Sequence, residues 1–240
     1  MRIDKNYWLL NTPIAHRGLW NDKIVENSLS AYENAIKCGF PIEIDLYLTS
    51  DKKLVSFHDK DLFRMTGTSG LVFDKTLNEL KKLRLLNTQE QIPTLDEVLS
   101  MVNGKVPLLI EFKDQPDKDF VKIAVDKLKS YKGEFAVQSF NPLYVNKIRK
   151  LAPKFIRGIL ATESEGKDKS LPVRYILKNM PLNFLCKPDF ISYSYSGLPL
   201  KKRKYKNRPI ITWTVTREEI YQKVRPYSEN IIFENFIPKI

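Results

Sequence analysis

The chain is short of the residues that would place it in several common classes. Two cysteines, Cys38 and Cys186, among 240 residues exclude a disulfide-stapled scaffold and any cysteine-built zinc cluster. Glycine is scarce, nine in all, and none gathers into a phosphate-cradling loop, which argues against a nucleotide-dependent enzyme. No apolar run approaches the ~18 residues of a membrane span; the stretch from Val106 is stopped by Glu111. Before Asn11 the only apolar run is Tyr7-Trp8-Leu9-Leu10, short of the roughly 7–15 residues of a signal-peptide core, so a soluble, cytoplasmic protein is expected. Acidic residues are outnumbered, 28 against 40 Lys and Arg, for a formal charge of +12. The excess lies after residue 100, where 27 basic side chains meet 14 acidic ones; the first hundred residues carry 13 and 14. That balance suits phosphorylated ligands, anionic lipid surfaces or nucleic acid and does not choose among them.

What is present reads as an ordinary globular chain, 42% hydrophobic and 28% charged. Short β-rich runs alternate with helical stretches along nearly the whole length, the pattern of a parallel sheet with crossover helices. The strand candidates are 13–15, 42–48, 54–58, 108–112, 135–139, 156–160, 190–195, 210–215 and 230–233. Helices are expected over 28–38, capped by Asn27 and ended by Gly39, and after the capping box that starts at Thr94. Two more, 117–131 and 141–151, are amphipathic at helical spacing. Parallel neighbours need a crossover of a dozen or more residues. Only Thr49 to Lys53 separates Leu48 from Leu54, so those two runs form a hairpin. Eight strands remain. The fold class expected is α/β, a TIM-type (β/α)8 barrel over 1–240 as a single domain, with a hairpin and loop insertion after strand 2 at about 49–92; a doubly wound sheet is the alternative.

A two-residue loop, Asp51-Lys52, would pair Ser50 with Lys53 and set Asp45 opposite His58. Glu43 shares the face of Asp45, while Ile42, Ile44, Leu46 and Leu48 take the other. Glu43 and Asp45 on a solvated strand face would be unremarkable alone; on a strand with packed neighbours they need a partner, and a divalent cation is one. Glu111 repeats the pattern between Ile110 and Phe112, with Lys113 on its face. Three oxygen donors without cysteine point to one hard ion, Mg²⁺ or Ca²⁺. The only histidines, His16 and His58, both end strand candidates near these carboxylates, which favours a general acid/base pair. Arg17 offers the planar fork that binds phosphate oxygens.

The ordered segments His16-Arg17-Gly18, Glu26-Asn27, Glu43-Ile44-Asp45, His58-Asp59, Arg64-Met65-Thr66-Gly67, Ile92-Pro93-Thr94-Leu95, Glu111-Phe112-Lys113, Ser139-Phe140 and Trp213-Thr214-Val215 resemble the glycerophosphodiester phosphodiesterase family. The resemblance implies an α/β barrel that hydrolyses glycerophosphodiesters to sn-glycerol 3-phosphate and an alcohol. It implies metal ligands at Glu43, Asp45 and Glu111, acid and base at His16 and His58, and phosphate contacts at Arg17 and Lys113. Trp213 is either core or an apolar wall for the glycerol. The sequence departs from the family near its end, where Phe233-Glu234 replaces the usual residues, so altered substrate fit is expected there. A lysophospholipase D, a cyclic-phosphate-forming lyase and a silent glycerophosphate-binding barrel are the alternatives. Six basic residues in the eight from Lys201 to Arg208 read first as a solvated helix face, with weak contact to an anionic membrane surface or a polyphosphate polymer as the alternative. One tyrosine in that run is too little aromatic interleaving for nucleic acid.

Overall fold

The computed structural model describes residues 3–163, 170–201 and 205–239. Its chain forms two compact units, one of residues 15–135 and one of residues 1–14 with 136–240.

In the 15–135 unit, β2 (Ile42–Leu48) is buried at every position and runs parallel to β4 (Leu108–Phe112), which is equally buried. Burial on both faces is what a strand inside an α/β layer requires. Ile42, Ile44 and Leu46 register with Leu108, Ile110 and Phe112, so apolar side chains share one face. The same register sets Asp45 beside Glu111. Thus the alternation that fills the apolar layer also forces two acids together. Ala15, in β1 (Ile14–Ala15), pairs in parallel with Ile42 on the other side of β2.

β3 (Leu54–Ser56) returns antiparallel to β2, as the short connection demands, but in a different register from the expected one. Leu46 pairs with Ser56 and Leu48 with Leu54, and the ladder closes where Thr49 N–H donates to Lys53 O at 2.8 Å. The loop therefore has three residues, Ser50 to Lys52, with Lys52 left-handed at φ 62°. Phe57, not His58, lies opposite Asp45, its N–H donating to Asp45 O at 3.0 Å. The cross-strand adjacency of His58 and Asp45 is thus corrected. His58 falls past the end of β3, outside the ladder.

The insertion packs a core of its own. Tyr47, Val55, Phe57, Leu62, Met65, Val72, Leu80, Leu85 and Ile92 are all buried in one cluster with Val25. The loop after β1 is held against the helix Leu29–Lys37 by Leu19 N–H donating to Ala31 O at 3.0 Å. Ser28, rather than Asn27, caps that helix, its side chain accepting from Ala31 N–H. The expected capping box at Thr94 is present, with Glu97 reciprocating.

In the other unit, β5 (Phe135–Ser139, its first residue belonging to the 15–135 unit), β6 (Arg157–Ala161), β7 (Phe190–Ser194), β8 (Ile210–Val215) and β9 (Asn230–Phe233) follow one another in parallel. Asn230 Nδ2 donates to Leu9 O at 2.9 Å and Thr12 O at 2.7 Å, tying the N-terminal segment to β9. With β1, β2 and β4 this makes eight parallel strands among the described residues, separated by helices, and one antiparallel insertion strand.

At Gly18 the loop after β1 lies close against the helix. At φ +83° a Cβ would stand 2.8 Å from Ala31 Cβ and 2.9 Å from its backbone carbon, whereas at Gly39, φ +73°, nothing lies within 4 Å. Gly39→Ala should cost about 1 kcal/mol of left-handed strain, and Gly18→Ala about 2–3 kcal/mol more because backbone must move. Urea midpoints check this, and equal losses at the two positions would remove the close approach as a constraint.

Candidate active site

Every charged group expected from the sequence to do chemistry lies in the 15–135 unit: on the loop after β1, along β2, on β4 and just past its end, and in the insertion. Glu43, Asp45 and Glu111 each offer an oxygen within 4.8 Å of the other two, and all three are buried. Like charges so close in a low-dielectric setting repel strongly. Burial, then the charges of Asp45 and Glu111, push the Glu43 carboxyl well up from its ordinary value. Burial likewise raises Glu111, against the opposing charge of Lys113. Asp45 goes the other way. Burial would raise it, but Lys113, His58 and Arg17 together hold it below the usual carboxylate range.

Lys113 follows directly from β4 and enters this cluster, its Nζ 2.9 Å from Glu111 Oε1 and 3.2 Å from Asp45 Oδ1. The second approach lacks hydrogen-bond alignment, so Asp45 Oδ1 is buried without a donor. Asp45 Oδ2 is better supplied. Asn27 Nδ2 donates to it at 2.9 Å, and Asn27 Oδ1 in turn accepts from the Tyr32 hydroxyl at 2.8 Å and from Ser56 Oγ at 3.2 Å. Those two hydroxyls fix which end of the Asn27 amide faces the carboxylate. Asn27, Tyr32 and Ser56 are all but fully buried, so this polar column is satisfied internally. The sequence offers Asn27 as a helix cap and as part of the Glu26-Asn27 segment; its backbone is left-handed, φ 50°, and its amide serves Asp45 instead of the helix.

Arg17 is held at both ends. Its backbone N–H donates to Glu43 Oε2 at 3.0 Å, and its guanidinium donates to Glu26 Oε1 at 2.8 Å. Arg17 Nε is 3.8 Å from Asp45 Oδ2, and it is buried with no acceptor. A buried donor without an acceptor therefore stands beside the Asp45 carboxylate, whose Oδ1 is ion-paired to Lys113 but accepts no hydrogen bond. Such buried orphans are rare unless a ligand completes them.

His58 Nδ1 lies 2.7 Å from Asp59 Oδ1. Asp59 also accepts from Arg64 Nε at 2.5 Å, and Arg64 reaches Glu26 Oε1 at 2.6 Å. A continuous chain of charge-assisted bonds thus runs from His58 through Asp59, Arg64 and Glu26 to Arg17. Asp59 and Arg64 carried no role in the sequence reading beyond their motifs; their signal is the acid adjoining His58 and the arginine five residues later. His16 directly follows β1, partly exposed, and its charge reaches Glu111. Trp213 belongs to the other unit, on β8, edge-to-face with Phe140 at 5.5 Å, its indole N–H buried without an acceptor. Phe233 is buried and packs edge-to-face on Phe236. Of the basic run, 202–204 lie outside the described residues; Lys201 and Lys206 are exposed, and Arg208 Nε donates to Pro188 O.

The Arg64 links have a pH signature. Burial opposes them, yet Arg64 and Arg17 hold Glu26 below its ordinary value, and His58 and Arg64 do the same for Asp59. A carboxyl depressed on folding contributes stability above its unfolded pKa, near 4, and loses it as pH falls through the lower folded value. Arg64→Met should therefore lower Tm at neutral pH and flatten the decline of Tm between about pH 5 and pH 3. Parallel acid limbs in the two proteins would show that Arg64 does not set these carboxyls.

The chain matches the glycerophosphoryl diester phosphodiesterase family over residues 16–238. It is 34% identical to the glycerophosphodiester phosphodiesterase of Caldanaerobacter subterraneus over 61% of its length, spanning 65% of that protein. To glycerophosphodiester phosphodiesterase 1 of Mus musculus it is 30% identical, over 84% of this chain and 71% of that one. The solved structure of a glycerophosphodiester phosphodiesterase from Parabacteroides distasonis superposes with a TM-score of 0.76 at 25% identity, covering 93% of this chain and 92% of that one. An Oleispira antarctica phosphodiesterase, in complex with the product sn-glycerol-3-phosphate, gives 0.76 at 24% identity over 95% and 94%. The fold is the (β/α)8 barrel expected from the strand–helix alternation. With a match across nearly its whole length, the chain belongs to the glycerophosphoryl diester phosphodiesterase family.

Proposed function

We propose that the chain performs its family's reaction, hydrolysis of a glycerophosphodiester to sn-glycerol 3-phosphate and an alcohol, with one divalent cation held by Glu43, Asp45 and Glu111. The observation that carries this reading is the cluster of three buried carboxylates, with the Arg17 Nε donor buried beside it without an acceptor. Carboxylate oxygens suit a hard ion, and we take Mg²⁺ or Ca²⁺ as the candidates. A family match that runs through both compact units supports reading 1–240 as a single barrel domain with its insertion at about 49–92.

Such a cation would supply Lewis-acid polarisation of a phosphate oxygen and acidify the attacking hydroxyl or water. The protein's own groups do the rest. Arg17 Nε donates to a non-bridging phosphate oxygen, while Glu26 holds the far side of the guanidinium in place. Lys113, kept protonated by Asp45 and Glu111 despite its burial, neutralises charge building on the phosphoryl oxygens. One of His16 and His58 takes the proton from the attacking oxygen; the other gives a proton to the alcohol oxygen as its bond to phosphorus breaks. The Asp59 carboxylate, 2.7 Å from His58 Nδ1, orients the His58 ring. Trp213 is the candidate apolar wall for the glycerol, and Phe233 and Glu234 are the candidates for altered substrate fit. A small-molecule diester is the partner implied. Among the described residues no helix is long and apolar enough to cross a membrane.

Product analysis with glycerophosphocholine, glycerophosphoethanolamine and glycerophosphoglycerol tests the reading: sn-glycerol 3-phosphate and the free alcohol should appear. A cyclic phosphate product would favour the lyase instead. Excess EDTA should abolish turnover, and Mg²⁺ or Ca²⁺ should restore it; full activity after exhaustive chelation would remove the cation. His16→Ala and His58→Ala should each lower kcat by at least ~10²-fold with little change in Tm. Their double variant should fall far short of the product of the two losses. A single variant with near-normal turnover would take that histidine out of the mechanism.

A further inference from the structure

The unit that holds β5 to β9 carries a surface that the chemistry above does not use. The helix Leu171–Asn179 buries none of its residues fully. Ile176 faces inward, lining a crevice with Pro142, Met180, Leu182 and Asn183. Leu171 and Tyr175, one turn apart on another face, are 76% and 61% exposed. Arg174 and Lys178 flank them at the same spacing. The short helix Asn183–Cys186 packs against the helix Pro142–Leu151 and presents Phe184 at 73% exposure; Leu143, at the start of its neighbour, is 60% exposed. Four large apolar side chains that the chain could have tucked in thus stand out from adjoining segments. Scattered surface leucines are ordinary, but grouped ones mark a docking surface.

The charge around them selects the occupant. From Ser170 to Lys201 the chain has four basic residues and a single acid, Asp189. That acid is nearly buried against Arg157, at 3.6 Å, so it presents little charge to solvent. Lys178 is paired with Glu163, while Arg174, Lys187 and Lys201 are exposed. A second copy of this chain, also at +12, would bring like charge against like. An anionic bilayer surface satisfies both features. Its headgroups take the basic side chains, and its interface takes leucine, tyrosine and phenylalanine rings at shallow depth.

We propose that Leu143, Leu171, Tyr175 and Phe184, framed by Arg174 and Lys187, form a patch that docks the protein on anionic lipid surfaces. This placement extends the expectation attached to the Lys201–Arg208 run by naming an apolar anchor. It stands on exposure and charge, independent of the reaction catalysed.

Co-sedimentation of the full chain with phosphatidylcholine vesicles, with and without phosphatidylglycerol, tests it. Binding should require phosphatidylglycerol and weaken as salt rises. Leu171→Ser with Phe184→Ser should lower partitioning at least about tenfold. Arg174→Gln and Lys187→Gln should each lower it about fivefold. Turnover of soluble glycerophosphocholine should be unchanged in all of them, which also shows that they fold. Three results would overturn the proposal: no binding to anionic vesicles, binding that survives all four substitutions, or concentration-dependent self-association that the Leu171→Ser/Phe184→Ser variant abolishes.

Discussion

Mutual repulsion among Glu43, Asp45 and Glu111 is the constraint around which this half of the protein is organised. Their oxygens converge within 4.8 Å, away from solvent. Parallel pairing of β2 with β4 makes this unavoidable, because the register that aligns Ile44 with Ile110 also aligns Asp45 with Glu111. Three buried negative charges cannot stand alone. The compensation visible in the chain is Lys113, the Arg17 backbone N–H and the Asn27 amide. At Asp45 Oδ1 it is an ion pair with Lys113 and no hydrogen bond.

The surroundings of that cluster are polar and over-determined on one side, and incomplete on the other. Tyr32 and Ser56 orient Asn27, and Asn27 orients Asp45. Glu26 holds Arg17 and Arg64 at once, and Arg64 holds Asp59 against His58. The insertion is therefore more than a decoration on the barrel. Its buried cluster, from Val55 to Ile92, carries Asp59 and Arg64 at a fixed distance from the loop after β1. Arg17 Nε and Asp45 Oδ1 remain without a hydrogen-bond partner inside the chain. Preorganised donors of this kind are what stabilise charge that develops during reaction.

Much of this can be read from the sequence, for definite reasons. β2, β4, β5, β8 and β9 have the expected bounds because apolar runs between helix signals admit little else. The convergence of Glu43, Asp45 and Glu111 follows from period-2 alternation on two neighbouring strands. The hairpin register is off by one because Lys52 adopts a left-handed conformation that glycine or asparagine usually announces. A third loop residue then puts Phe57 where His58 was expected. Asn27 and Ser28 are both good caps, and only tertiary demand from Asp45 decides between them. The Glu26–Arg64 link spans 38 residues and has no local signature, so only its ends are visible in the chain.

Calorimetric titration of the chelator-stripped protein with Mg²⁺ or Ca²⁺ tests the carboxylate centre most directly. Wild type should bind one ion per chain, and Asp45→Asn, which keeps the shape but removes the charge beside Lys113, should bind none at the same concentrations. An unchanged isotherm in Asp45→Asn, or no binding to the wild-type protein, would contradict a cation site at Glu43, Asp45 and Glu111.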